Sequence, residues 1–416
     1  MTDKNIKKNI FWNTIGTTIN AFTSLFYMIF VTRINGIDEA GIFTFAFSIA
    51  LVIQVIGDYA GRVYQVTNIN KKISDSDFIY NHIITSLLMI AVGIIFCLFR
   101  EYNIYKFMII MILLLFRSIE SFADSVFGII QKNGELYKVG ISLAVKGILS
   151  LLLFLIVDIT TKNVLLSCLA ILLVQLIILF FYDFRNLKKE RFKLQKINKE
   201  GIILIFRAGF DVFIFNILLQ YILTAPKYPI DSYLTDNNQS IYGIISMPAT
   251  MMILIAKFII HPLLNKLTSY IKKKDFKSFN NTIFKMSASF VGIGLFCFIV
   301  CWFIGIPILN IVYGLELTDY KNCLNIILIG SIIYGVVCIL SNALIALRDT
   351  KLLVGSYMIS SIIAYIISDM LVKKSNIIGA SYSYLITMIC LAILLLVVYL
   401  YIVNKKNREV LQNEKK

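Results

Sequence analysis

The sequence predicts an all-α polytopic membrane protein, with twelve transmembrane helices arranged as two six-helix lobes around a central cavity. Three observations carry that prediction. Long apolar runs recur from end to end of a 416-residue chain that is 58% hydrophobic and only 15% charged. Lysine and arginine collect between alternate runs. Within three of the runs, polar side chains fall on a single helix face. So apolar a composition lies well outside that of soluble domains, and runs of about twenty apolar residues are long enough to span a bilayer.

Six apolar windows centre near residues 21, 50, 88, 118, 147 and 172, and six more near 212, 251, 296, 333, 361 and 390. The basic segment RNLKKERFKLQKINKEG separates the two sets, which places an N-terminal lobe at 1–190 and a C-terminal lobe at 191–416. The first run follows Lys4, Lys7 and Lys8 much as a signal peptide would. It extends from Ile10 to about Val31 with no small-residue cleavage site, so it reads as an uncleaved first helix. An even number of helices per half makes the halves parallel repeats. Each half places one basic residue, Arg33 or Lys227, after its first helix, followed by an acidic loop and a glycine-containing helix start.

With the N-terminus in the cytoplasm, inner segments hold twenty-seven of the 40 lysines and arginines, and outer loops hold eight. That bias is the positive-inside pattern and puts both termini in the cytoplasm. It also accounts for the net charge of +16 through an anionic leaflet, so membrane lipids are the expected partner and nucleic acid is not. The seven cysteines are scattered, and Cys297 and Cys301 share a face without a second ligand pair. His82 and His261 are the only histidines. The expectation is therefore no metal, no cofactor and no catalytic cluster.

The stretch MIIMILLLFRSIESFADSVFGIIQK sets the main problem, because Arg117, Glu120 and Asp124 lie in the middle of a span. Each costs roughly 2.5–3.5 kcal/mol at the centre of a lipid-facing helix. With about 100° per residue, Arg117, Glu120, Asp124, Gly128 and Gln131 share one narrow sector. Asn13, Thr17, Asn20 and Ser24 form a similar stripe on the first helix, and Gln54, Asp58, Gly61 and Gln65 do so on the second. Two readings fit the charged trio alone: a closed ion cluster that holds helices together, or groups facing a water-filled cavity. The three stripes together favour the cavity.

The charges within spans are Arg117, Lys146, Arg207, Lys257 and Lys285 against Glu120, Asp124 and Asp211, an excess of two positive. Lys285 lies near the inner boundary, where it can snorkel, and Arg207 can either reach out or pair with Asp211 one turn on. Deep cations on a shared cavity favour an anionic ligand, phosphate or carboxylate above all. The abundant Phe and Tyr residues mostly pack cores and girdle interfaces.

Three stretches carry a family resemblance. TRINGIDEAGIFTFAFSIALVIQVIGDYAGRVYQVT resembles the start of Wzx-type O-antigen and polysaccharide flippases. FRSIESFADSVFGIIQKNGELYKVGIS resembles their fourth helix and the following loop. APKYPIDSYLTDNNQSIYGIISMPA resembles the stretch joining their seventh and eighth helices. The resemblance implies the fold of the multidrug/oligosaccharidyl-lipid/polysaccharide (MOP) exporter superfamily, MATE-like, in the bacterial inner membrane. It also implies translocation of an undecaprenyl-diphosphate-linked oligosaccharide for O-antigen, lipopolysaccharide or other surface polysaccharide biosynthesis, by alternating access. A polysaccharide polymerase and a chain-length regulator are the implied partners. Arg33, Arg62, Arg117, Lys146, Arg207 and Lys257 are the positions matched to the cavity cations that meet the substrate. Asp58, Glu120, Asp124 and Asp211 are the positions for ion coupling.

Two alternatives stand beside this. A membrane polysaccharide polymerase should carry catalytic groups on a sizeable outer loop, yet the longest outer loop, near 225–240, offers only Asp231 and Asp236. A drug exporter of the same fold would be expected to have a more acidic cavity than the basic interior read here.

Overall fold

The structure is a computed structural model. It describes residues 3–414 except 69, 71, 191 and 348, and leaves undescribed the side chains of 3, 4, 254, 257–266, 268 and 408–414. The described residues are helical almost throughout. In chain order the elements are α1 Asp3–Ile34, α2 Ile37–Gly57, α3 Arg62–Thr67, α4 Asp75–Phe99, α5 Ile104–Lys132, α6 Leu136–Thr161 and α7 Val164–Ile178. A π-helical turn, Leu179–Asp183, joins α7 to α8 Phe184–Lys189. Then come α9 Lys199–Thr224, α10 Lys227–Tyr233, α11 Asp236–Ile245, α12 Met247–Lys272, α13 Phe276–Tyr313, α14 Lys321–Ala346 and α15 Thr350–Glu414.

Continuity through α15 is only apparent, because Ser375 and Asn376 leave helical φ/ψ. Ser368 Oγ donates to Ser383 Oγ at 3.2 Å. Fifteen residues of unbroken helix would hold those hydroxyls about 22 Å apart, so the chain reverses at Ser375–Asn376 and α15 is an antiparallel pair. Each of the twelve predicted spans then falls on a helix: α1, α2, α4, α5, α6, α7, α9, α12, α13, α14 and the two arms of α15. Among the described residues, nine segments are long and apolar enough to cross a membrane, with α15 counted once.

Burial is distributed as a membrane protein requires. Leu87, Ile95, Phe99, Phe296, Phe303 and Ile311 are exposed, whereas Ser142, Ser167, Ser331 and Ser383 are buried. Apolar side chains face outward where lipid replaces water, and hydroxyls turn inward to backbone carbonyls and carboxylates. The protein is a multi-pass membrane protein.

Helix starts follow from local chemistry. Ser74 and Asp77 form a reciprocal capping box ahead of α4, Asn103 caps α5, and Asn163 accepts from the backbone of Leu165 and Leu166 at the start of α7.

The chain forms two compact units, Met1–Gln220 and Tyr221–Lys416. In the first, α1 packs along α6 and comes backbone against backbone at Gly16 and Gly140. A Cβ on Gly16 would stand 2.1 Å from the carbonyl oxygen of Gly140, and one on Gly140 would stand 2.2 Å from that of Trp12. Asn9 closes the end of this pair, donating to Gly134 O at 2.8 Å and accepting from the Tyr137 backbone at 2.9 Å. The helix α9 belongs to this unit as well: Tyr59 donates its hydroxyl to Phe206 O, and its ring packs on Phe206 and Phe213. A boundary at residue 190 divides the apolar windows six and six, whereas compactness carries the first unit to Gln220. In the second unit, α14 and α15 pack through small and hydroxyl residues, with Ser341 and Tyr357 hydroxyls 3.0 Å apart.

Gly140→Val tests the close contact. The added side chain has only the Trp12 backbone to occupy, so the variant is expected to lose about 1–3 kcal/mol, the usual cost of overpacking. Its thermal unfolding midpoint in detergent, compared with wild type, checks this.

Candidate functional site

The site begins with a break in a helix. The ladder of α2 ends at Gly57, and Ala60 takes a positive φ of 51° before α3 starts at Arg62. Carbonyls freed within a membrane need partners from the protein. The next helix, α4, supplies them. Thr85 Oγ1 donates to Gly57 O at 3.1 Å, the His82 Nδ1–H donates to the same oxygen at 3.0 Å, and Asn81 Nδ2 donates to Tyr59 O at 2.9 Å. Glycine at 57 lets α5 approach closely, because a Cβ there would lie 2.8 Å from Ser121 Oγ and force that side chain to shift. The break turns Asp58 outward from the helix axis, and Ser121 donates its hydroxyl to the carboxylate.

Beside this break lies a cavity of about 750 Å³ within the first unit. The three stripes predicted from sequence meet on its wall: Thr17 and Asn20 from α1, Gln54, Asp58 and Gly61 from the end of α2, and Arg117, Glu120 and Asp124 from α5. Lys146 of α6, Gln175 of α7 and Asn216 of α9 complete the polar lining, with Tyr59, Phe127 and Phe213 as aromatic surface. Gly128 gives α5 room for Gln65, whose side chain a Cβ would meet at 2.0 Å. Asn13 and Gln131 instead line a smaller adjoining pocket of about 210 Å³, which also reaches Arg62.

Electrostatically the cavity differs from expectation. Arg117 Nη1 meets Glu120 Oε2 at 2.6 Å, with its guanidinium 4.6 Å from the Phe47 ring centre. Arg62 Nε lies 3.4 Å from Asp124 Oδ1, and its backbone N–H donates to Oδ2. Lys146 Nζ lies 2.7 Å from Asp183 Oδ2, with the two side chains only 3% and 1% exposed. The excess of deep positive charge read from the sequence is corrected here: each of these cations has its own carboxylate. The reason is Asp183, at the end of the sixth apolar run, which the π-helical turn carries inward to Lys146 and to the hydroxyl of Ser142, 2.6 Å away. Asp58 is the carboxylate on the wall that has no ion-pair partner among the described residues. The basic interior invoked against a drug exporter is therefore absent from this cavity.

The other sequence-predicted positions lie elsewhere. Arg33, in the last turn of α1, and Arg207 are exposed and off the cavity wall. Asp211 is also exposed, and it makes no ion pair with Arg207 among the described residues. Lys257 falls in α12, and its side chain lies outside the described residues. Gln175, Asp183 and Asn216 were missed. Gln175 and Asp183 are nonetheless two turns apart in an otherwise apolar run, the same signal that marked the other stripes.

A strap follows α8. Glu190 accepts from Lys138 and Asn133, Gln195 joins Ser76 and Tyr80, and Asn198 donates to Lys72 O. Glu200 pairs with Lys72 at 2.8 Å and holds that ammonium above the ordinary lysine range.

No protein-family model matches the chain. Over 392 residues it is 24% identical to the capsular polysaccharide biosynthesis protein CapF of Staphylococcus aureus, covering 90% of this chain and 94% of that one. It superposes on the inward-facing conformation of a multidrug resistance MATE family transporter of the MOP superfamily with a TM-score of 0.74 at 13% identity, covering 96% and 99% of the two chains. The lipid II flippase MurJ, in its inward closed conformation, matches with a TM-score of 0.70 at 15% identity, covering 95% of this chain and 90% of that one. The fold is the two-lobed all-helical fold of the MOP superfamily.

Lys146→Ala tests the buried pair. It strands the Asp183 carboxylate and is expected to destabilise the protein by about 3–5 kcal/mol, whereas Lys146→Met with Asp183→Leu should cost far less. Denaturation of both variants in detergent reads the difference.

Proposed function

We propose that the chain is a flippase. It carries a polyprenyl-diphosphate-linked oligosaccharide, the repeat unit of a surface polysaccharide, from the inner to the outer leaflet of the bacterial cytoplasmic membrane. The observation that carries this reading is the polar cavity of about 750 Å³ inside a unit whose outer surface is apolar. That volume suits a ligand of drug or oligosaccharide-fragment size and far exceeds the need of a single ion. Amides from Asn20, Gln54 and Asn216 beside aromatic rings suit a hydroxyl-rich ligand. The similarity to CapF, and to the fold of MurJ, supports a lipid-linked glycan as cargo.

In this reading the cavity is exposed alternately to the two faces of the membrane, and the polyprenyl tail stays in lipid. Arg62, Arg117 and Lys146 act from within their ion pairs, keeping the walls polar without trapping an anion too tightly to release. Arg33 and Arg207, which lie off this cavity's wall, and Lys257 keep the headgroup-contacting role that the resemblance implies. Asp58, Glu120, Asp124 and Asp211 remain the positions for ion coupling, with Asp58 the foremost because no cation among the described residues pairs with it. The glycan would pass to a polymerase and its chain-length regulator, and both termini would lie in the cytoplasm.

A second reading, export of small organic cations, draws on one observation: Asp58 on the cavity wall has no ion-pair partner among the described residues.

Deletion of the gene separates the two. Lipid-linked glycan is expected to accumulate on the cytoplasmic face, as read by extraction and sidedness mapping, with cationic dye uptake unchanged. Normal surface glycan together with raised dye retention would favour the exporter.

A further inference from the structure

We infer that the cavity of the first unit is a sugar subsite in which Asp58 selects a residue bearing a protonated amine and disfavours a uronic acid. The inference rests on the flippase reading for its biological meaning, though the site itself can be tested apart from transport.

The charge balance points this way. Arg62 is answered by Asp124, Arg117 by Glu120 and Lys146 by Asp183, which leaves Asp58 as the wall carboxyl with no cation beside it among the described residues. Its described side-chain partner is a neutral donor, the Ser121 hydroxyl, and the residue is exposed toward the cavity. A carboxylate so placed keeps acceptor capacity for a ligand, and a charged donor gives the stronger hydrogen bond. A ligand carboxylate would instead face another carboxyl, with the described cations of the wall already paired.

A second, independent observation is Gln175. It lines the same cavity and is 2% exposed, yet its Oε1 has no hydrogen-bond partner among the described residues. A buried acceptor left unpaired is costly, and a hydroxyl or amine donated by a ligand would satisfy it. Asn20, Gln54 and Asn216 add neutral amides, and the Phe213 ring adds a flat apolar surface. Together these form a cage rich in acceptors with an aromatic wall, which suits an amino sugar better than a diphosphate.

The test measures binding to the purified full-length protein in detergent by calorimetry, using methyl glycosides of glucosamine, N-acetylglucosamine and glucuronic acid. The expected order is glucosaminide, then N-acetylglucosaminide, then glucuronide. The first should exceed the last by about tenfold or more, the range for one charge-assisted hydrogen bond. Asp58→Asn keeps an oxygen for Ser121 and should reduce the amine's advantage about tenfold. Glucuronide binding as tightly as glucosaminide in the wild type overturns the inference whether or not the variant folds. Ethidium binding that depends on Asp58 and that no glycoside displaces overturns it too. If the glycosides bind in the expected order while the deletion strain keeps normal surface glycan, the sugar site stands and the flippase reading falls.

Discussion

A helix that stops inside a membrane must have its loose carbonyls met by the protein, and the functional half of the first unit follows from how this is done. The ladder of α2 fails at Asp58, and three side chains from a single face of α4, Asn81, His82 and Thr85, take up the carbonyls of Gly57 and Tyr59. Without those donors the break would be prohibitively costly in hydrocarbon. With them, the chain can turn through Ala60, present Asp58 and Arg62 to the cavity, and set Tyr59 against α9. Cavity, charge arrangement and the attachment of α9 to the first unit all depend on this one repair.

Much of this was legible in the sequence. Helix periodicity alone placed Thr17 and Asn20, Gln54 and Asp58, and Arg117, Glu120 and Asp124 on three faces, and the structure sets all of them on one wall. The number and positions of the apolar windows also match the helices, because bilayer thickness fixes helix length so firmly. The pairing of charges was less legible. Which carboxylate meets Lys146 depends on a π-helical turn near residue 180, and a one-residue shift in helix register leaves no mark in composition or in 3.6-residue spacing. The break in α2 had a faint signal, with Gly57 and Gly61 bracketing Asp58, but glycine is common enough in membrane helices that the pair does not announce a turn.

Charge pairing changes what the interior can do. A cavity lined by unpaired cations would hold a diphosphate strongly, and a carrier must also let go. Ion pairs such as Arg117–Glu120 and Arg62–Asp124 keep the wall strongly polar at little net charge. The fully buried Lys146–Asp183 pair is different in kind. Its lysine lines the cavity while its carboxylate lies behind the wall, and the pair ties α6 to the turn after α7. Lys146 thus serves as wall and fastening at once.

The contact between α1 and α6 has a mechanical consequence. Where Gly16 and Gly140 bring backbone against backbone, no side chain is present to rotate, compress or slide. The two helices then behave as a stiff double beam, able to tilt together but not to shear past one another. Any deformation the first unit undergoes while working must be taken up at softer joints, and the interrupted strand of hydrogen bonds after Gly57 is the nearest one.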